Sequence, residues 1–321
     1  MIVITGAYGF IGSNLVAEME RKLTEELVLV DTFGHGDKWK NLSNRRLHIM
    51  LEPQQIEGFI RDNHNSISCI IHLGANSSTV EDDVDLLYNN NYRFSTRLLD
   101  LCSIYGIRFL YASSASVYGD GKMGFNDSDN ILDIQSLKPL NAYGWSKKIL
   151  DEHCAARGYK NIVGLRFFNV YGPNEDHKGE QASVVFKWYN QIKNSLPIGL
   201  YKSYSSGYKD GFQKRDFVFV QDCVDVILWM IHNTAINGIF NVGTGCAHPF
   251  IDIVASIENV LRKKAIYSFV DMPDRIRKHY QYYTEADISK LRDSGYNKEM
   301  TSLEDGIQTY IKQYLNTNNY R

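Results

Sequence analysis

The chain has 321 residues, 44% of them hydrophobic, a net charge of -2 and no polybasic run; it is long enough for one large or two modest domains, and nucleic acid is a poor partner for it. The five cysteines, Cys69, Cys102, Cys154, Cys223 and Cys246, are odd in number and show neither C-x-x-C pairing nor metal-ligand spacing, so free thiols and no metal site are expected. The apolar start lacks a charged n-region and a cleavage site, and no apolar run approaches the ~20 residues that span a bilayer, so a cytoplasmic protein with no membrane partner is expected.

Residues 2–5 read as a buried strand, 11–22 as a helix and 27–31 as a second strand. Strands follow at 47–50 and 68–73, a long helix at 84–105, a strand at 107–113, a helix at 143–157 and a sixth strand at 162–170. Strands apolar throughout and alternating with helices indicate a parallel sheet covered on both faces. The fold class is therefore α/β, a Rossmann-type doubly wound parallel sheet. Beyond Tyr171 the rhythm changes: Gly172-Pro173 breaks the chain, a polar loop covers 174–179, and a helix covers 182–193. A Tyr/Gly/Ser/Lys-rich stretch fills 201–214, a strand and a helix at 215–220 and 222–232 return to the first domain, 240–245 is a turn, and 265–270 is a strand. The expected division is a dinucleotide-binding domain at 1–170 joined by 215–240, with 171–214 and 241–321 mainly a smaller α/β substrate-binding domain.

Gly6-x-x-Gly9-x-x-Gly12 lies between a strand and a helix, the context in which a glycine motif has meaning. It predicts a tight turn that lets the backbone approach a pyrophosphate at a helix N-terminus. Phe10 and Ile11 belong to the same turn. Asp31, about 20 residues on, suits the adenosine ribose and by itself favours NAD, because a carboxylate repels a 2′-phosphate; Thr32 is placed beside it as a cofactor contact. Lys38 and Lys40 follow, and either would neutralise a 2′-phosphate. Leu73, Gly74, Ala75, Asn76 and Ser77, after the fourth strand, are placed along the cofactor, and Asn90 on the long helix is expected to brace that loop.

Tyr143 and Lys147, four apart, share one helix face. A phenol titrates near ~10, and a nearby ammonium favours the phenolate. Ser114, at the end of the fifth strand, is placed to hydrogen-bond the reacting oxygen. The three suit hydride transfer at a carbinol carbon coupled to proton removal.

Gly6-x-x-Gly9-x-x-Gly12, Ser113-Ser114-Ala115 and Tyr143-x-x-x-Lys147, with Arg215-Asp-Phe-Val and Phe240-Asn-Val-Gly-Thr-Gly245 further on, resemble the extended short-chain dehydrogenase/reductase superfamily over essentially the whole chain. Its members typically act on nucleotide-activated sugars. The sugar 4,6-dehydratases among them carry an acidic pair where this chain has Ala115-Ser116-Val117. The stretch from Arg166-Phe-Phe-Asn169 through His177-Lys178-Gly179 to Ser183, with Gly74-Ala-Asn-Ser-Ser78-Thr, Asn89-Asn-Asn-Tyr92 and residues 274–287, is similar to the ADP-L-glycero-D-manno-heptose 6-epimerases, which supply the heptose of the lipopolysaccharide inner core.

That resemblance implies NADP, a self-associating enzyme and an ADP-heptose substrate inverted at C6. It makes Lys178 a second acid/base opposite Tyr143, and a Lys lowered by burial fits that task. It assigns substrate contacts to Asn169, Glu180, Lys187, Arg215 and Tyr280 and to Tyr201, Lys202, Ser203 and Tyr204, and adds Val170 to the cofactor contacts. Arg215 suits a diphosphate, with Asp216 beside it expected to orient it. Residues 204–213 look expanded against the family's shorter form, and Lys187 stands where some members have His. Two other readings keep the fold: a 4-epimerase or reductase of a UDP- or GDP-sugar, and a non-catalytic dinucleotide sensor, against which the intact Ser114, Tyr143 and Lys147 set argues.

Overall fold

A computed structural model describes residues 1–277 and 280–321. Seven parallel strands form one sheet in the order β10-β6-β5-β4-β1-β2-β3. They are β1 (Ile2–Thr5), β2 (Leu27–Val30), β3 (Ile49–Leu51), β4 (Cys69–His72), β5 (Arg108–Ser114), β6 (Ile162–Phe167) and β10 (Gly238–Val242). Alternation along β1 splits its side chains between two cores. Ile2 and Ile4 join the cluster holding Leu15, Val224 and Ile227, whereas Val3 joins that of Ile60, Leu98 and Leu150. Helices Phe10–Lys22 and Val220–His232 therefore cover one face, and Ile56–Asn63, Phe94–Tyr105 and Ala142–Arg157 the other. The order reverses between β1 and β4, which opens a crevice at the strands' C-terminal ends, the expected ligand position in such a sheet.

Three readings of the sequence shift. The third strand starts at Ile49 rather than residue 47, because Leu47 is fully out in solvent. The expected sixth strand divides at Phe168: β6 stays in the large sheet, and β7 (Asn169–Tyr171) enters a three-stranded sheet, β11-β9-β7. In that sheet β9 (Lys214–Phe219) pairs parallel with β7 and antiparallel with β11 (Ala247–Pro249). The strand expected to return to the first domain pairs in this second sheet and not in the large one. The return is made by helix Val220–His232 and by β10, whose residues look like a turn in sequence because their edge position mixes Gly and Asn with apolar residues.

The remaining chain wraps a second core of Val185, Trp188, Ile253, Ile257 and Ile307. Helices Val184–Lys193, Phe250–Leu261 and Leu303–Tyr310 enclose it, and a parallel pair, β8 (Ile198–Tyr201) with β12 (Tyr267–Val270), flanks it. The long helix of the first domain is interrupted. Val84–Leu87 runs into a π-helical turn, Tyr88–Arg93, before Phe94–Tyr105. Such turns accommodate an extra residue and often mark functional sites; here the turn sends Asn91 into the interior.

Candidate active site

Backbone builds the cofactor end. Gly6 takes φ +68°, and a Cβ there would lie 2.6 Å from the Gly74 nitrogen. A Cβ on Gly12 would lie 2.1 Å from the Gly6 carbonyl oxygen. The turn and the β4 loop therefore approach as closely as main chain allows. Gly9 caps helix Phe10–Lys22, whose first free N–H groups suit an anion. Ile11, Leu73 and Val170 pack on the core beneath.

Asp31 accepts hydrogen bonds from the Tyr8 and Thr32 nitrogens at 3.0 and 2.7 Å. Lys38 reaches its carboxylate at 2.8 Å and donates to the Thr32 carbonyl at 2.7 Å. Lys40 pairs with Asp37 instead, so one of the two candidate lysines stands at the ribose position.

A buried polar relay fixes the β4 loop. The Gly74 nitrogen donates to Thr5 Oγ1 at 3.1 Å, and Thr5 Oγ1 lies 2.6 Å from His72 Nδ1. His72 Nε2 lies 2.7 Å from Ser95 Oγ, which donates to the Asn91 carbonyl at 2.7 Å. That carbonyl only accepts, so Ser95 spends its proton there and His72 Nε2–H must donate to Ser95. His72 Nδ1 then accepts from Thr5, which fixes a neutral tautomer. Burial, with Lys147 nearby, pushes His72 down to about 3. Asn91 continues the relay: it accepts from the Asn76 nitrogen at 2.8 Å and donates to the Asn76 carbonyl at 2.9 Å and to Ser146 Oγ at 3.0 Å. The brace expected of Asn90 is therefore made by Asn91, and Asn90 is exposed, as are Ala75 and Ser77. The π-helical turn causes this one-residue offset, and nothing in the sequence signals it.

Tyr143, Ser146 and Lys147 lie in the first turns of helix Ala142–Arg157, which Asn141 caps by accepting from the Gly144 nitrogen at 2.8 Å. Burial raises the Tyr143 phenol, and the adjacent Ser114 hydroxyl pulls it back down. Ser114, at the end of β5, thus meets Tyr143. The Lys147 ammonium donates to the Ala112 carbonyl at 2.8 Å, and burial pulls it down to about 8 against the opposing pull of Asp151.

Asp151, one turn further on the same face, is fully buried and escaped the sequence reading. It accepts from Tyr111 at 3.0 Å, Ser113 at 2.9 Å and Arg166 Nε at 2.9 Å. Arg166 continues to the Tyr118 hydroxyl at 2.9 Å, and Tyr118 to Asn241 Oδ1 at 2.7 Å. The repeated four-residue spacing Tyr143, Lys147, Asp151 was the available signal.

Lys178 stands in a helical turn, Asp176–Gln181, with its ammonium 5.3 Å from the centre of the Phe10 ring. This brings it to the glycine turn. Burial lowers it, Glu175 raises it and Lys187 lowers it further. Neighbouring His177 faces Asn41 at 3.1 Å and is pushed down to about 4 by burial and by Lys38 and Lys178. Glu180 is exposed, and its carbonyl accepts from Lys187 at 2.6 Å.

Arg215 is buried, with its guanidinium 5.0 Å from the Tyr280 ring centre and 5.7 Å from that of Phe250. Among the described residues no carboxylate lies within ion-pair distance of it. Asp216 does not orient it, because successive strand residues face opposite sides. Asp216 instead accepts from the Thr244, Gly245 and Ala286 nitrogens at 2.8, 3.0 and 3.0 Å. Tyr201 meets Tyr280 edge to face at 6.3 Å. Lys202 and Tyr204 both reach Asp271, at 3.2 and 2.8 Å, and the Ser203 nitrogen donates to Asp210 at 2.7 Å. Asn169 is exposed on β7. The expanded stretch folds back on this group, with Tyr208 against Tyr282 at 5.6 Å.

A glycine turn, a Tyr and Lys one helical turn apart and a Ser at the end of β5, all on a seven-stranded parallel sheet, define an extended short-chain dehydrogenase/reductase. The chain belongs to the NAD dependent epimerase/dehydratase family, whose sequence profile matches residues 2–243. It is 41% identical to the ADP-L-glycero-D-manno-heptose-6-epimerase of Fusobacterium nucleatum over 98% of both chains. The crystal structure of the Helicobacter pylori protein of that name superposes with a TM-score of 0.78 at 27% identity, covering 97% of this chain and 95% of that one. The Bacillus cereus UDP-glucuronic acid 4-epimerase, solved with UDP-glucuronic acid and NAD, superposes with a TM-score of 0.77 at 26% identity over 97% and 99% of the two chains.

Proposed function

We propose that the chain is a nucleotide-sugar epimerase that inverts C6 of the heptose in ADP-D-glycero-D-manno-heptose, giving ADP-L-glycero-D-manno-heptose for the lipopolysaccharide inner core. The observation that carries the substrate is the end-to-end likeness to heptose 6-epimerases. The geometry that carries the chemistry is Ser114, Tyr143 and Lys147 beside the glycine turn.

A dinucleotide fits this crevice: Gly6 and Gly12 leave no room for a Cβ, and a helix N-terminus faces the turn. When bound there, a nicotinamide dinucleotide would supply reversible hydride acceptance at C6, so that net redox would be zero. The chain's own groups move protons and hold the sugar. Ser114 hydrogen-bonds the C6 oxygen and Tyr143 accepts its proton, giving a ketone. Lys147, anchored on the Ala112 carbonyl one helical turn from Tyr143, is the cation that would favour phenolate. The ketone reorients, and Lys178, lowered by burial, exchanges the proton in the second orientation. Arg215, a stacked cation with no carboxylate in ion-pair distance among the described residues, takes the diphosphate, with Tyr280 and Tyr201 beside it.

Lys38 supports NADP as the cofactor, because its ammonium covers the Asp31 carboxylate that would otherwise repel a 2′-phosphate. Lys38→Ala is expected to bind NADP at least about tenfold more weakly while leaving NAD binding little changed; equal losses for both would return the assignment to NAD. The family likeness is in keeping with an oligomeric, cytoplasmic enzyme; among the described residues no helix is long and apolar enough to cross a membrane.

The test uses purified protein, ADP-D-glycero-D-manno-heptose and no added cofactor, with the two C6 epimers resolved by chromatography. Conversion to an equilibrium mixture is expected. No conversion, with nicotinamide released on denaturation, would keep the hydride chemistry and move the substrate to another nucleotide sugar.

A further inference from the structure

The loop that carries Lys178 is closed at its base by one carboxylate. Glu175 is fully buried. Its Oε1 accepts from the Gly172 nitrogen at 3.2 Å and from the Ser183 hydroxyl at 2.8 Å, and its Oε2 accepts from the Ser183 nitrogen at 2.5 Å. Gly172 directly follows β7, the strand bearing Asn169 and Val170. Ser183 caps the helix bearing Lys187 by accepting from the Phe186 nitrogen at 3.2 Å. One side chain therefore ties together a substrate-side strand, the turn of Lys178 and the helix of Lys187. The turn itself starts from Glu175, whose carbonyl accepts from the Lys178 nitrogen at 2.9 Å.

We propose that Glu175 is a positioning residue for Lys178: it fixes the place of the 172–183 loop and supplies the negative charge that balances the Lys178 ammonium beside the glycine turn. The proposal rests on the reading of Lys178 as the second acid/base. Burial alone accounts poorly for Glu175, because three hydrogen bonds to a carboxylate would be met as well by a loop closed through backbone, without a buried charge. The charge has a partner. Glu175 and Lys178 act on each other in opposite senses, the carboxylate raising the lysine and the ammonium lowering the acid, while burial disfavours the charged form of both. The other titratable groups facing the pair are Lys187, which lowers Lys178, and the Tyr310 phenol, which lies beside the carboxylate from helix Leu303–Tyr310. His177, next in the turn, is depressed and stays neutral at physiological pH. Among the described residues Glu175 is thus the charged group that raises Lys178.

The test compares Glu175→Gln, Glu175→Asp, Ser183→Ala and Lys178→Met, each first checked for bound nicotinamide and cooperative unfolding, as pH profiles of C6 epimerisation. Lys178→Met is expected to lose turnover about 100-fold and one limb of the profile. Glu175→Gln should lose turnover about tenfold through misplacement, and the limb that Lys178→Met abolishes should move to lower pH, since the ammonium has lost its opposing charge. Ser183→Ala keeps the charge, so its limb should stay in place while turnover falls. A Glu175→Gln limb at the wild-type pH, with Lys178→Met inactive, overturns the proposal and leaves the Lys178 reading intact. Wild-type turnover in Lys178→Met overturns both. If Glu175→Gln does not fold, Glu175→Asp decides: it keeps the charge but is one methylene too short to hold both loop ends, and wild-type turnover there overturns the proposal.

Discussion

At the glycine turn, main chain touches main chain, and Gly6 and Gly12 are irreplaceable because a Cβ would strike Gly74 or Gly6 itself. At Arg215 the contacts belong to side chains: a guanidinium between Tyr280 and Phe250, with Tyr201 and Tyr282 around it. The first region is held from beneath by a buried, directional relay through Thr5, His72, Ser95 and Asn91. The second is assembled from segments around residues 201, 215, 250 and 280, and its rim residues Lys202 and Tyr204 reach an exposed Asp271. A surface made of backbone fixes the common part of a ligand, and a surface made of side chains selects its variable part. The family's shared cofactor and diverse sugars fit that division.

Substitutions at the helix of Tyr143 should cost most, because it carries the proton-transfer groups and the buried Asp151. Tyr143→Phe is expected to lower turnover by about 10²–10⁴-fold with the fold and bound cofactor retained. Chromatographic assay of the C6 epimers checks this, and wild-type turnover would remove Tyr143 from the chemistry. Asp151→Asn should cost about 3–5 kcal/mol of stability, because it leaves the Arg166 guanidinium buried without its counter-charge. Denaturant unfolding reads this directly. A loss under about 1 kcal/mol would mean that Tyr118 and water carry the arginine unaided.

The sequence made the backbone region legible because tight turns demand glycine and buried parallel strands demand continuous apolar runs. The Gly6, Gly9 and Gly12 spacing, β1, β2, β4 and the Tyr143–Lys147 face all show in it. What failed depended on distant pairing or on local helix geometry. β9 reads as a strand, but its partners β7 and β11 cannot be inferred from its own residues. Asn90 and Asn91 are indistinguishable until the π-helical turn selects the one facing inward. Asp216 was assigned to Arg215 by adjacency, whereas strand alternation sends the two to opposite faces. Asp151 shows only as a further four-residue step after Lys147, and Glu175 only as one acid in the 166–183 stretch; their meaning comes from partners on other strands and helices.

The relay beneath the glycine turn gives the backbone region an acid sensitivity of its own. His72 titrates at about 3 in the folded chain against an ordinary value of 6.5, so the unfolded chain takes up the proton first. Stability is therefore lost as pH falls below the unfolded value and continues to fall towards the folded one, by up to about 1.4 kcal/mol per pH unit. His72→Gln removes the titration, so its unfolding free energy should fall less steeply than the wild type's between neutral pH and pH about 4.5. Equal slopes in denaturant titrations would show that the His72 proton is not what the relay excludes.

The smallest effect is expected where side chains alone make the site. Arg215→Lys keeps a cation but loses the planar fork and its stacking on Tyr280. A diphosphate is held equally before and during hydride transfer, so the loss is one of uniform binding: KM should rise about tenfold, roughly 1.4 kcal/mol, with kcat little changed. Cofactor retention should be unaffected, because the glycine turn owes nothing to Arg215. Steady-state kinetics separates the cases: a fall in kcat at constant KM would place Arg215 in the reacting geometry, and loss of bound nicotinamide would mean that the two regions are one cooperative unit rather than a fixed cradle beside a selective one.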